Sequence, residues 1–257
     1  MKKLQYGMVG GGPGSFIGEA HRRAIGLDGK AELAAGCFSR TFEKNQLTGS
    51  QLGIDHDRIY SNYEEMAKAE AALERGIDFV VITTPNAAHY EACKAFLTAG
   101  IAVSCEKPLC VSLSQARELE QLAKDKNILF MVTYIYSGHV TALNAKAMIQ
   151  QGIIGEVRTI MGEYPQGWLA QEDITGNKQG EWRTDPEQSG RTNALGDIGT
   201  HIENTVYRMT GLKIQKVLAR MDKVVKGRTL DDNSFVMVEY ENGASGMYWA
   251  SQIAKGH

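Results

Sequence analysis

The sequence predicts an α/β protein with two domains: a doubly wound parallel sheet, followed by an α+β domain built on an open, mostly antiparallel sheet. Short apolar runs alternate with helical patterns through the first half of the 257 residues. Those runs are almost continuously apolar, as expected for parallel strands that are buried on both faces. In the second half, strand-like runs follow one another with one convincing helix between them, which is typical of an α+β domain.

Each element of the first domain, residues 1–134, has its own apolar run or helical pattern. The predicted strands are Leu4–Gly10, Glu32–Phe38, Phe79–Thr83, Ile101–Cys105 and Leu129–Thr133. The predicted helices are Ile17–Leu27, Thr41–Leu52, Ala87–Ala99 and Ser112–Asp125. Ser112 can cap the last of these helices. The regular alternation of strand and helix implies right-handed crossovers between parallel strands.

The second domain, residues 135–257, opens with a predicted helix over Thr141–Gln151. The predicted strands are Glu156–Tyr164, Ile214–Val225, Ser234–Tyr240 and Ala244–Ile253, and a helix covers Ile198–Met209. The last strand has the apolar pattern of an interior strand, yet only Ala-Lys-Gly-His follows it. A sheet that ends in this way has an open edge. We therefore expect either a chain truncated at its C-terminus or a partner chain that covers the edge.

Composition excludes several classes of function. The net charge of −2 leaves no electrostatic footprint for nucleic acid or an anionic membrane. The apolar runs are far shorter than the roughly 20 residues of a membrane helix. Cys37, Cys93, Cys105 and Cys110 lack the spacing of a zinc site, so no metal site is predicted. Reduced thiols indicate a cytoplasmic protein.

The segment GGGPGSFIGEAH, residues 10–21, lies between the first strand and the first helix. Such a loop can present backbone N–H groups to a pyrophosphate, although a flexible surface turn has the same composition. Gly10 and Gly12 fit the first two positions of the dinucleotide fingerprint, but Ser15 stands at the third. Gly18 restores the close packing of helix on strand after an apparent insertion.

The end of the second predicted strand bears on the choice of dinucleotide. It reads Ser39-Arg40, and no acidic residue is present to bind an adenosine ribose. Arg40 can pair with a 2′-phosphate, which favours NADP over NAD. A solvated arginine is the alternative interpretation.

Two further segments carry titratable groups at positions suited to chemistry. VSCEKPL, residues 103–109, places Lys107 just outside the carboxyl end of a strand, where ligands bind in open α/β sheets. Pro108 restricts the lysine backbone and can be cis, although a surface lysine in a proline turn fits equally well. Asp197 and His201 are spaced to share one helix face as an acid–base pair. Alternatively, Asp197 only caps the helix while His201 packs.

Taken together, these segments resemble the Gfo/Idh/MocA family, the glucose–fructose oxidoreductases and inositol dehydrogenases. The resemblance rests on the glycine loop, TTPNAAH at 83–89, EKP at 106–108, QGIIGEV at 151–157, EWRTDP at 181–186 and GDIGTH at 196–201. It implies a Rossmann domain and an open-sheet domain that assembles through its sheet into a homodimer or homotetramer. Family members usually continue well past this chain's end, and they include a non-catalytic repressor that binds dinucleotide and sugar.

The resemblance implies an NAD(P)-dependent dehydrogenase that acts on a secondary hydroxyl of a sugar, polyol or cyclitol. His201 is the expected base, Lys107 the expected donor to the reacting oxygen, and Asp197 the residue that orients His201 or binds a neighbouring hydroxyl. The expected cofactor residues are Gly10, Gly12, Gly14, Ser15, Phe16, Ile17, Ser39, Arg40, Thr83, Thr84, Pro85, Asn86, His89, Glu106, Lys107, Trp182 and Arg183.

The expected substrate residues are Lys107, Tyr164, Gln166, Trp168, Asp197 and His201, and Tyr164, Gln166 and Trp168 are taken to alternate along a strand. Trp182 and Arg183 are taken to lie on a loop over the cofactor, where Trp182 could also stack on an apolar sugar face. Simple sheet packing is the alternative for the residues near Tyr164. A sensor on the same fold and an inactive fragment remain the alternatives for the whole chain.

Overall fold

The computed structural model describes residues 2–256, which divide into two compact units. The first unit extends to Thr133, and the second begins at Tyr134. Each unit has a hydrophobic core of its own.

The first unit is a Rossmann-type layer of parallel strands. Its strands are β1 (Leu4–Gly10), β2 (Ala31–Cys37), β3 (Phe79–Thr83), β4 (Ala102–Cys105) and β5 (Phe130–Val132). Within residues 2–133 they form a five-stranded sheet in the order β2-β1-β3-β4-β5, and every pairing is parallel. The crossover between β2 and β3 passes over β1. This reversal of strand order creates the crevice at the carboxyl ends of the strands where such folds bind ligands.

Five helices connect these strands within the same residues. They are α1 (Phe16–Gly26), α2 (Phe42–Gln51), α3 (Tyr63–Ala72), α4 (His89–Ala99) and α5 (Leu113–Asp125). Ser112 caps α5 by accepting a hydrogen bond from the Gln115 N–H, as the sequence predicts. Helix α3 has no counterpart among the predicted elements, because its buried face carries the charged residue Glu70 beside Met66 and Ala67.

The second unit combines helices with a four-stranded mixed sheet. Its helices are α6 (Val140–Gln150), α7 (Lys178–Thr184), α8 (Pro186–Ser189) and α9 (Thr200–Thr210), and its strands are β6 (Thr159–Pro165), β7 (Ile214–Asp222), β8 (Asn233–Tyr240) and β9 (Ser245–Ser251). Among the described residues the strand order is β6-β9-β8-β7. The β6–β9 pair is parallel, whereas β8 is antiparallel to both neighbours.

Two details of this sheet agree with the sequence. The last strand, β9, is interior, as its apolar pattern predicts. Strand β6 lies at an edge, which accommodates Pro165, since proline has no N–H to give to a ladder. The short helices α7 and α8 correct the predicted order of elements, in which Ile198–Met209 is the one helix between the strands.

The two faces of this sheet differ in what they contact. On one face, Val236, Tyr248 and Ala250 are buried in a core that includes Ile198 and Ile202. The opposite face carries a row of apolar side chains in cross-strand register, which we call the methionine row: Met161, Met247, Met237 and Leu218. Their exposed fractions are 59%, 38%, 60% and 69%. An exposed apolar row of this size is typical of an interaction surface.

Neither a membrane span nor a metal cluster is found in the part of the chain that the structure describes. None of its helices is both long enough and apolar enough to cross a membrane. No group of three or more His, Cys, Asp and Glu side chains within residues 2–256 is arranged to hold a metal ion.

Candidate functional site

The glycine loop forms a narrow backbone cradle between β1 and α1. Gly10 and Gly11 have φ values of +81° and +75°, which side-chain-bearing residues rarely adopt. A Cβ on Gly12 would lie 2.9 Å from the Phe38 carbonyl oxygen. A Cβ on Gly18 would lie 2.4 Å from the Gly11 Cα. Helix α1 therefore approaches the loop as closely as two glycines permit, which is the packing that the sequence assigns to Gly18.

Ser15 has a structural role at the start of α1. Its Oγ accepts a hydrogen bond from the Gly18 N–H over 3.2 Å and so caps the helix. Phe16, the first helical residue, is 77% exposed. Gly14 turns the chain with a φ of +76°, and the N-terminus of the helix that follows favours an anion.

Helix α2 follows the end of β2, where Ser39 and Arg40 lie. Ser39 donates its backbone N–H to Asn45 Oδ1 over 2.6 Å, which fixes this turn. Arg40 is exposed beside it. The arginine is therefore accessible to a ligand at the carboxyl end of β2.

The TTPNAAH segment continues β3 at the same end of the sheet. Thr83 Oγ1 donates to the Val9 carbonyl oxygen over 3.2 Å. Thr84 Oγ1 is buried and has no hydrogen-bond partner among the described residues. Pro85 and Asn86 follow, and Asn86 is buried. A buried hydroxyl costs free energy unless it is hydrogen-bonded, so Thr84 Oγ1 suits a polar ligand group.

His89 corrects one expectation about the cofactor residues. Its imidazole is fully buried, and its two nitrogens lie 2.9 Å from the Pro108 carbonyl oxygen and 2.8 Å from the Thr84 carbonyl oxygen. Burial lowers the pKa of the ring, although both carbonyl contacts oppose this effect. The ring has no surface left for a cofactor. It instead joins the TTPNAAH segment to the backbone just after Lys107.

Glu106 lies directly before Lys107 at the end of β4. Its Oε1 is 2.8 Å from His21 Nε2 and accepts a 2.6 Å hydrogen bond from Thr133 Oγ1. Its Oε2 accepts from the Lys107 backbone N–H at 3.2 Å. Burial raises the pKa of this carboxyl, but the hydrogen bonds from His21 and Thr133 together with nearby positive charge outweigh burial and hold it below its ordinary value. Glu106 is therefore a carboxylate, and the Lys107–Pro108 bond that follows is cis.

Two observations indicate that the first unit can bind a dinucleotide. The loop from Gly10 to Gly12 is a cradle that a Cβ would fill, and Thr84 Oγ1 is a buried group still in need of a partner. Both lie at the carboxyl ends of the central strands, where a pyrophosphate would meet the N-terminus of α1.

In the second unit, Asp197 and His201 lie on consecutive turns. Asp197 belongs to a π-helical turn, Leu195–Gly199, and His201 to the start of α9. Asp197 Oδ2 accepts from Arg183 Nε over 3.0 Å and from Gln252 Nε2 over 2.8 Å. Ala194 and Gly199, rather than Asp197, occupy the N-cap positions of this turn and of α9. The Asp197 carboxylate instead binds side chains of α7 and of the segment after β9.

Asp231 holds the start of that same turn. Its carboxylate accepts the backbone N–H groups of Asn193 at 2.7 Å and Leu195 at 2.8 Å. Burial raises the pKa of Asp231, although both backbone hydrogen bonds oppose this effect. Sequence reasoning did not identify Asp231, because its role depends on a contact with residues far away in the chain.

Aromatic rings surround His201. The ring centroids of Tyr136, Tyr134 and Tyr164 lie 4.6, 5.8 and 6.1 Å from the imidazole centroid. The hydroxyls of Tyr136 and Tyr164 are hydrogen-bonded to each other. Burial and that hydrogen bond raise the pKa of Tyr164. Tyr164 was predicted as a site residue, whereas Tyr134 and Tyr136 were not.

The structure corrects the local geometry of four other predicted residues. Strand β6 ends at Pro165, so Gln166 and Trp168 do not alternate along a strand with Tyr164. They contact each other instead, with Trp168 Nε1 donating to Gln166 Oε1 over 2.9 Å. Trp182 and Arg183 lie in helix α7 rather than on a loop. The Arg183 guanidinium stacks on the Trp182 ring at 4.2 Å.

Comparison with known sequences shows which family this chain belongs to. Residues 4–134 match the family described as "Oxidoreductase family, NAD-binding Rossmann fold", and residues 142–257 match the "GFO/IDH/MocA C-terminal domain". The chain belongs to the Gfo/Idh/MocA family.

Several known proteins are similar to this Gfo/Idh/MocA chain over nearly its whole length. The uncharacterized oxidoreductase YfiI of Bacillus subtilis is 40% identical over 99% of this chain and 66% of its own length. The levoglucosan dehydrogenase of Pseudarthrobacter phenanthrenivorans is 27% identical over 100% of this chain and 69% of its own length. An inositol dehydrogenase homolog of Azotobacter vinelandii, crystallised with NAD⁺, has a TM-score of 0.96 at 36% identity, covering 99% of this chain and 66% of that one. The chain thus spans about two thirds of the length of these relatives.

Proposed function

We propose that the protein is an NAD(P)-dependent oxidoreductase. It transfers a hydride between a nicotinamide cofactor and a secondary hydroxyl or keto group of a sugar, polyol or cyclitol. The observation that carries this proposal is that His201 lies one helical turn after Asp197, a carboxylate that is fixed by other side chains. Arg183 and Gln252 hold Asp197 in place, and tyrosine rings pack around the imidazole. A positioned base of this kind suits proton removal from an alcohol.

Each residue has a separate task in this reaction. His201 takes the proton of the reacting hydroxyl as the C–H bond of the same carbon breaks. Lys107 donates a hydrogen bond to the oxygen and stabilises the negative charge that develops there. Asp197, fixed by Arg183, orients His201. The bound dinucleotide supplies the hydride acceptor, and the protein supplies orientation and electrostatics.

The aromatic surroundings of His201 and the names of the relatives support the proposed substrate class. Tyr136 and Tyr164 combine ring faces with hydroxyls, a combination that suits the C–H and O–H groups of a sugar or cyclitol. Trp168 is 37% exposed and supplies further aromatic surface in the same unit. The names of two relatives, a levoglucosan dehydrogenase and an inositol dehydrogenase homolog, support the same class.

We propose either NADP or NAD as the cofactor, and the preference for NADP rests on Arg40 alone. The Azotobacter vinelandii neighbour holds NAD⁺, which supports the dinucleotide but not the extra phosphate. We also propose a cytoplasmic location, which the free thiols Cys37, Cys93, Cys105 and Cys110 support.

We further propose that the methionine row mediates assembly into a homodimer or homotetramer. Charged residues of neighbouring register rows, Lys216 with Glu239 and Arg220 with Asp222, flank the apolar row on the same sheet. An apolar centre with a polar rim is usual for protein interfaces. Met237→Asp should lower the mass measured by light scattering. Lys226→Ala, in the connection between β7 and β8, should leave that mass unchanged. An unchanged mass for Met237→Asp would remove this surface from the interface.

The test of the activity replaces Lys107 with alanine and screens sugars and inositols with both dinucleotides. We expect turnover of the best substrate to fall by about a hundredfold or more, as for a lost electrostatic stabiliser. Lys124→Ala is the matched control, since its surface pair with Glu120 contributes little. Unchanged turnover in Lys107→Ala would show that the assigned role is wrong. Cofactor binding in a thermal melt without turnover of any polyol would favour the sensor, and an aggregated chain with no cofactor shift would favour the fragment.

A further inference from the structure

Two histidines anchor the chain on either side of Lys107. After the lysine, His89 contacts the Pro108 carbonyl oxygen, as described above. Before it, His21 contacts the carboxylate of Glu106, which in turn accepts the Lys107 backbone N–H. All of these residues belong to the first unit. No sequence motif links His21 to Lys107, because the two are far apart in the chain.

The His21–Glu106 contact is short and protected from solvent. Nε2 and Oε1 are 2.8 Å apart, and the side chains are 14% and 11% exposed. Thr133 donates to the same oxygen, so its hydroxyl shares Oε1 with the imidazole. Charge-assisted hydrogen bonds of this kind are stronger and more directional than neutral ones. Among residues 2–256, the carboxylate thus accepts from His21 and Thr133 at Oε1 and from the Lys107 backbone at Oε2.

These hydrogen bonds connect helix α1 to the backbone of Lys107. His21 lies on α1, the helix that begins at the glycine cradle and packs on Gly11 through Gly18. Glu106 cannot rotate away from the Lys107 N–H without losing its bond to His21 or Thr133. The backbone conformation at Lys107 is therefore tied to the helix that carries the cofactor loop.

A second buried acid–base pair in the same unit provides a comparison. Glu70 is fully buried and ion-paired with Arg58, and it also accepts the Ile77 N–H at 3.1 Å. That pair lies near the amino ends of the strands, away from Lys107 and the glycine loop. It stabilises the fold at a place where no predicted site residue occurs. A variant of this pair therefore serves as a control, since it changes stability without changing the contacts of Lys107.

We propose that His21 is a positioning residue, which acts through Glu106 to hold Lys107 in its reactive orientation. This inference rests on the proposed function, because it concerns the lysine to which that function assigns a role. Small displacements of a positioned group can reduce turnover by about two orders of magnitude. His21 itself touches neither the substrate nor the reacting atoms in this assignment.

The first part of the test is kinetic. In His21→Leu the donor to Glu106 is lost, and we expect kcat for the best polyol to fall by about tenfold or more with a smaller change in KM. His21→Gln keeps an N–H donor and should recover kcat to within about threefold of the wild type. Glu70→Gln should lower the melting temperature while leaving kcat within about twofold.

The second part of the test measures the ¹³C NMR signal of Lys107 and does not require turnover. The lysines are dimethylated with ¹³C, and the Lys107 signal is identified by its loss in Lys107→Arg. His21→Leu should move and broaden that signal, whereas His21→Gln and Glu70→Gln should leave it in place. Unchanged kcat and an unchanged Lys107 signal in His21→Leu would overturn the proposal. A wild type that turns over no polyol but shows the expected change in the lysine signal would refute the proposed function and leave the positioning role supported.

Discussion

Arg183 donates from Nε to Asp197 Oδ2 across 3.0 Å, in an ion pair whose side chains are only 19% and 11% exposed. The pair joins helix α7 to the turn that precedes α9. It connects the EWRTDP and GDIGTH segments, since Arg183 of the first is the cation beside Asp197 of the second.

Replacing Arg183 with alanine should destabilise the protein and reduce its turnover. The change removes one hydrogen-bond and ion-pair partner from a largely buried carboxylate, which costs about 1–3 kcal/mol of unfolding free energy. Urea unfolding and polyol turnover measure the two effects. Arg220→Ala, which breaks the exposed pair with Asp222, is the control and should change stability by less than about 1 kcal/mol. Equal stabilities for the two variants would contradict the importance given to the Arg183–Asp197 pair.

Helix α1 contains two glycines with opposite expected responses to alanine. At Gly18 the added Cβ would lie 2.4 Å from the Gly11 Cα, so the loop must move and cofactor binding should weaken by tenfold, or about 1.4 kcal/mol. At Gly26 nothing lies within 4 Å of the new Cβ, so alanine should stabilise the helix by about 0.5–1 kcal/mol. Fluorescence titration with NADH or NADPH and thermal melts test both changes. Tight cofactor binding by Gly18→Ala would refute the cradle.

Arg40→Ala should distinguish the two dinucleotides. If the guanidinium pairs with the 2′-phosphate, the variant should bind NADP about tenfold more weakly and NAD within about twofold of the wild type. Thr41→Ala, at the neighbouring position, is the matched control. Equal NADP affinity in wild type and Arg40→Ala would exclude Arg40 as the phosphate partner.

Glu106 should make stability depend on pH in the acid range. Its pKa is below the ordinary value of 4.5 in the folded chain, so its stabilising contribution is present above that value and is lost as the pH falls through the folded pKa. The difference in unfolding free energy between wild type and Glu106→Gln should therefore shrink as acid is added below about pH 4.5. Denaturant unfolding at a series of pH values measures it. A difference that grows toward low pH would show that the carboxyl is not held as a carboxylate.

The strands were largely predictable, because buried parallel strands are plain apolar runs, and β3 has the predicted bounds of Phe79–Thr83. Helix α3 was not predictable in this way, since Glu70 on its buried face disguises the apolar pattern. Motifs identified Lys107, Asp197 and His201 as candidates. His21 ends the glycine motif, but the motif does not indicate its contact with Glu106, and no motif contains Gln252; both contacts join residues that are distant in sequence.

The pairing of β6 with β9 has a consequence for how the protein folds as it is synthesised. Thr159 lies beside Ser245, so the partner of β6 among the described strands is β9, which is synthesised after β7 and β8. The first unit, by contrast, can complete its sheet once β5 has emerged. A nascent chain therefore carries β6 without its β9 partner while β7 and β8 are synthesised, and unpaired strands are prone to aggregation.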